Sequence, residues 1–90
     1  MALFTFVLDY CGGTYVHQVD SPGPGAAMMA WASTMPLESI PSLCNADRAA
    51  LLEAMRSESP QQVNGTRNVW CVSAIVGGHL ALAHVVETVP

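Results

Sequence analysis

Ninety residues suffice for one domain with a single core and no covalent staples. Hydrophobic residues make up 51% and charged residues 11%, the reverse of the balance that keeps a chain disordered. The net charge is −4, lysine is absent, and Arg48, Arg56 and Arg67 are the only strong cations, which argues against nucleic acid and anionic membrane surfaces as partners.

So few charges cover a small domain poorly. The composition therefore predicts apolar surface hidden against a partner, most simply a second copy of the chain. The start, "MALFTFVLDY", lacks the basic residues and small-residue cleavage site of a secretory signal. The longest apolar candidate for a membrane span, 69–86, is interrupted by Gly77-Gly78 and carries two histidines. Cys11, Cys44 and Cys71 are odd in number and widely spaced. That pattern fits reduced thiols in a cytoplasmic protein, with no disulfide framework.

In chain order, "FTFVLDYCGGTYVHQV" reads as two strands about a Gly12-Gly13 turn. That turn sets Phe6 opposite Val19, Leu8 opposite His17 and Tyr10 opposite Tyr15. With Phe4 these form a core face, and the other face is partly wet. "SPGPG" is a turn whose prolines can open a helix but not lie inside one. A helix near 25–35 follows, with Met28, Trp31, Ala32 and Met35 at helical spacing, and Pro36 stops it. A connector spans 36–44. Asn45 is the expected N-cap of a second helix near 46–57, whose apolar stripe is Ala49, Leu52 and Met55. The polar segment 57–67 reads as an exposed loop.

The last stretch, "NVWCVSAIVGGHLALAHVVET", is a hairpin about Gly77-Gly78. One face carries Trp70, Val72, Ala74 and Val76 with His79, Ala81, Ala83 and Val85. The other carries Val69, Cys71, Ser73 and Ile75 with Leu80, Leu82, His84 and Val86. Both are apolar, so both call for cover. The expected fold is α+β over a single domain, 1–90: an antiparallel sheet of two β-hairpins packed on two helices in ββααββ order. Leu8, Val19, Trp31, Leu52 and Trp70 are its expected core. Two helices cover one sheet face only, so the other is an expected homodimer interface, centred on Cys71, Ser73, Ile75, Leu80, Leu82 and His84.

The stretch "GGTYVHQVDSPGPGAAMMAWA" joins a strand leaving a glycine turn to an immediate Ala-x-x-x-Trp-Ala helix. In this it resembles the opening of small HicB-like domains, where a curled antiparallel sheet packs on a helix. The resemblance covers about the first third of the chain and implies a role as an antitoxin-type protein partner. The segment before the helix is Pro-Gly rich where that family has an acidic one. "LFTFVLDYCGGTYVHQV" and "NVWCVSA" also look like segments of small bacterial proteins. Neither likeness transfers a residue role.

Chemistry centres on Cys71, which the hairpin register sets directly opposite His84. A histidine at that distance can activate a thiol as a nucleophile or redox centre. Against this, cysteine in a sheet behaves as a small hydrophobe, and no third orienting group is identifiable. Zinc is disfavoured because no Cys or His pair has ligand spacing, and His79 and His84 fall on opposite strand faces. No cofactor is implied. A protein-binding or assembly module acting as a homo-oligomer is thus the favoured reading. A small thiol-dependent enzyme or redox protein using Cys71 and His84 is its alternative.

Overall fold

The computed structural model describes residues 2–35, 40, 44–57 and 60–88. The elements are β1 (Ala2–Tyr10), β2 (Gly13–Ser21), α1 (Pro24–Thr34), α2 (Asn45–Ser57), β3 (Gln61–Gln62), β4 (Val69–Val76) and β5 (His79–Thr88). The strands form one antiparallel sheet in the order β2-β1-β5-β4-β3. The first and last long strands are therefore neighbours at its centre, and β1–β5 pairing joins the two hairpins.

This corrects the expected four-stranded, two-hairpin sheet in ββααββ order. The segment read as a loop contributes a fifth strand, and the order is ββααβββ. Gln61 pairs with Cys71 and Gln62 with Trp70. The short strand carries no apolar alternation, so nothing in its side chains announces it. It forms because Val63 N–H donates to Val69 carbonyl (2.9 Å) and Thr66 N–H to Val63 carbonyl (3.1 Å), which closes a tight return about Asn64-Gly65.

The register of the first hairpin also differs. Phe4 faces Val19, Phe6 faces His17, Leu8 faces Tyr15 and Tyr10 faces Gly13. The two-residue loop is Cys11-Gly12, with φ 49° and 81°, and not Gly12-Gly13. Positive φ at both central residues is the type I′ pattern that matches strand twist. Gly13 serves a different purpose: a Cβ there would overlap the Tyr15 side chain. The second glycine thus makes room for an aromatic ring. The slip is an even number of positions, so every residue keeps its face. The second hairpin has the expected register about Gly77-Gly78, with Cys71 facing His84 and Ile75 facing Leu80.

Both helices lie on one face of the sheet. Phe4, Phe6, Leu8 and Tyr10 of β1 are all at most 2% exposed. Val72, Val76, Ala81, Ala83 and Val85 continue that buried face across β4 and β5. Pro24 opens α1, and Ala27, Met28, Trp31, Ala32 and Met35 face the sheet. The indole of Trp31 stacks on Phe6, with ring centroids 4.8 Å apart and planes 8° off parallel. Met35 is extended, as a residue preceding a proline tends to be.

In α2 the buried residues are Leu51 and Met55, with Leu52 half-buried and Ala49 exposed. The apolar stripe is therefore rotated from the expected one. Asn45 is the first helical residue and not the cap. Cys44 precedes it, and its backbone N–H donates to the Asp47 carboxylate (3.2 Å), the acidic half of a capping box. The connector expected over 36–44 lies outside the described residues except for Ile40, which is fully buried, and Cys44. Of the five expected core residues, Leu8 and Trp31 are buried. Val19, Leu52 and Trp70 pack against the core while half-buried.

Candidate functional site

The site is the sheet face that the described helices leave open, and strand alternation builds it. In β4 and β5 every second residue points away from the helices. Val69, Cys71, Ser73 and Ile75 therefore line up beside Leu80, Leu82, His84 and Val86. The β1–β5 pairing carries the rows onward: Val7 lies beside His84, Thr5 beside Val86 and Asp9 beside Leu82. Val16, Gln18 and Thr14 of β2 end those rows. All six expected interface residues, Cys71, Ser73, Ile75, Leu80, Leu82 and His84, fall on this one face.

The face has two characters. Over β1 and β2 it is mostly polar and internally bonded, apart from Val7 and the 60% exposed Val16. The Thr14 hydroxyl donates to Asp9 (2.7 Å), Gln18 Nε2 donates to the Thr5 hydroxyl (3.1 Å), and Thr5 and Thr88 share a hydroxyl bond. Over β4 and β5 it is apolar and bare. Ile75 is 69% and Leu80 56% exposed, and the two are cross-strand partners. Leu82 and Val86 are half-buried beside them. Such side chains scattered singly would be ordinary, but Ile75 and Leu80 are direct cross-strand neighbours and Leu82 adjoins Leu80 on the same face.

Cys71 and His84 are direct cross-strand partners. Counting from the Val76–His79 pair that closes the turn, they form a non-hydrogen-bonded pair, the geometry with the closer side chains. Both are half-buried. Val7 flanks His84 on its other side, and the hydrogen bonds of this face engage neither residue. The pair is thus brought together, but among the described residues no bond holds the imidazole in a chosen tautomer. Cys11 and Cys44 are exposed free thiols elsewhere, and Cys71 is likewise free. Among the described residues no cluster of three His, Cys, Asp or Glu side chains could hold a metal. His79 points to the helix side, edge-on to Tyr10 with centroids 6.3 Å apart.

A shallow pocket of about 310 Å³ opens at the first turn, lined by the residues from Asp9 to Thr14, Cys11 among them, with Leu80 and Leu82. Behind it lies a group that patterning alone missed. The Tyr10 hydroxyl, buried under the sheet end, donates to the Val76 carbonyl (2.9 Å). Burial pushes its pKa above the ordinary value of 10.0, and the Asp47 carboxylate and Cys11 push it further the same way. Strand periodicity could place Tyr10 on the core face. It carries no signal that the start of α2 would bring Asp47 there.

No described helix is long and apolar enough to cross a membrane. Comparison with family models, with curated proteins and with solved structures finds no match to this chain.

Proposed function

We propose that this protein is a small protein-binding and assembly module of the cytoplasm, which joins a second copy of itself through the open face of its sheet. The carrying observation is the contiguous apolar half of that face, with Ile75 at 69% and Leu80 at 56% exposure, on the side away from both helices. Exposed patches of this kind mark interaction surfaces, and closed two-fold pairing is their commonest use. The polar ladder over β1 and β2 supplies a rim. Low charge and the absence of lysine leave the patch without the repulsive guard that keeps such faces apart.

The test is sedimentation at micromolar concentration with Ile75→Asp and Leu80→Asp. Each places a carboxylate in the centre of the patch without touching the core. The expected result is a particle mass reduced at least two-fold with an unchanged circular dichroism spectrum. An identical mass for both variants and the parent chain overturns the reading. Thiol-dependent chemistry at Cys71 is the second reading, supported by the direct opposition of Cys71 and His84. It expects Cys71 to be alkylated rapidly at neutral pH, and His84→Ala to abolish that speed without changing the particle mass.

A further inference from the structure

We infer that the outer edge of β2 is a second self-association site, at which β2 of another copy adds antiparallel about a two-fold axis at His17. The two edges of the sheet are unlike. On one side β3 is only two residues long, preceded by Pro60 and followed by the Asn64-Gly65 return, and it pairs with Trp70 and Cys71 alone, so the free edge there is the short run of β4 from Val72 to Val76. Shortness and proline are the usual guards of a sheet edge. On the other side β2 runs for nine residues. Its register with β1 is unbroken from Ala2–Ser21 to Tyr10–Gly13, so it has no bulge. It contains no proline, lysine or arginine. Among the described residues no strand lies beyond it.

The turn identifies the free groups. A two-residue loop makes Tyr10–Gly13 the first hydrogen-bonded pair. Pairs then alternate, so Thr14, Val16, Gln18 and Asp20 aim their backbone N–H and C=O away from β1. All four residues are exposed.

These groups select a register as well as a partner. With the axis at His17, Val16 faces Gln18 of the second copy and Thr14 faces Asp20. All four outward residues are then used in both chains, and the strand pairs along its whole length. Moving the axis to Val16 brings Asp20 against the Gly12 turn. Moving it to Gln18 brings Thr14 against Pro22, which has no N–H to give. In the His17 register the one charged residue of the edge, Asp20, meets a hydroxyl and not another carboxylate.

The helix above agrees. α1 packs over β2 more than over β1 and contains no charged residue. Ala26 and Ser33 are exposed and Ala30 is half-buried, at helical spacing along it. A helix without a charged face is suited to burial. Edge pairing about His17 sets two such helices side by side, and the small residues let them approach closely. The edge axis is normal to the sheet and the axis of the proposed face pairing lies parallel to it. Used together, with the two axes intersecting, they close a particle of four chains, a step that rests on the face reading. The edge site itself does not.

Hydrogen exchange of the full chain reads the edge directly. The amides of Thr14, Val16, Gln18 and Asp20 are expected to exchange ~100-fold slower than free amides, and to lose that protection on dilution as the pairing dissociates. Gln18→Pro removes an outward N–H that no intramolecular bond needs. It is expected to halve the particle mass and release the other three amides. In the Leu80→Asp variant, with the open face blocked, the four amides are expected to stay protected. Free exchange at all four in a chain that sediments as an oligomer overturns the edge and leaves the face reading standing. A mass insensitive to Leu80→Asp but halved by Gln18→Pro overturns the face and leaves the edge.

Discussion

Tyr10 shows how much a single hydroxyl can hold. Its ring closes the buried row of β1, and its O–H caps the Val76 carbonyl at the start of the second turn. Burial first, then Asp47, raises its pKa above 10.0. The folded chain therefore keeps a proton that the unfolded chain releases near pH 10. The stabilisation is complete below that pH and is lost as pH rises through the folded value. Tyr10→Phe keeps the packing and is expected to cost about 1 kcal/mol at neutral pH, the net worth of one hydrogen bond. It should also flatten the alkaline limb of a urea-unfolding series run from pH 8 to 11; a variant that keeps that limb assigns it to another group. Trp31 and Trp70 separate on the same scale. Trp31 is 1% exposed and stacked on Phe6, so Trp31→Ala is expected to cost ~3–5 kcal/mol in urea unfolding. Trp70 is half-buried and tilted on Phe4 at 6.1 Å. Its truncation should cost clearly less, and an equal cost would mean that Trp70 is as well enclosed as Trp31.

Among the elements, the two turns and the start of α2 converge on one corner. Gly77 and Gly78 both have positive φ, 58° and 81°, so an alanine at either is strained by ~1–2 kcal/mol. Only Gly77 is also crowded: a Cβ there would sit 2.8 Å from an Asp47 carboxylate oxygen. Gly77→Ala is thus expected to lower the urea midpoint more than Gly78→Ala, because it displaces the carboxylate that accepts from Cys44 N–H. Adding Asp47→Ala should erase the difference between the two. A difference that survives would place the crowding elsewhere. The same elements show what the sequence carries. Gly77-Gly78 is flanked by β-branched and apolar residues on both sides, so its turn and the Cys71–His84 pairing were legible. At Cys11-Gly12-Gly13 two adjacent glycines allowed two registers. Packing of the Tyr15 ring over Gly13 favours the one adopted, and that is a tertiary contact. β3 was not legible, because two glutamines held by edge hydrogen bonds show no periodicity. The rotation of α2 that buries Leu51 in place of Ala49 was hidden by a helix rich in alanine, in which several stripes look alike.

For the whole molecule, the thiols provide a reading of assembly that needs no engineered probe. Cys11 lies in the first turn, lining a pocket with Leu80 and Leu82 at the margin of the open face, and Cys44 precedes α2 away from it; both are exposed. Cys71 is half-buried in the middle of that face, one residue pair from the Ser73–Leu82 row. If the face is closed by a second copy, Cys71 is covered by apolar side chains and becomes reachable only when the copies part. Cys44 is then expected to react with an aromatic disulfide reagent at a rate independent of protein concentration. Cys71 should react more slowly as the concentration rises, because its access follows the dissociated fraction. Leu80→Asp should bring Cys71 to a fast rate with no concentration dependence, while leaving the Cys44 thiol unchanged. The His84 imidazole separates this from activation of the thiol. Under the assembly reading His84→Ala enlarges the space around Cys71 and does not slow its labelling in the Leu80→Asp background. Under the catalytic reading the same substitution removes the base and slows it. A Cys71 that labels at one fast rate at every concentration, in the parent chain and the variant alike, would mean that nothing covers this face.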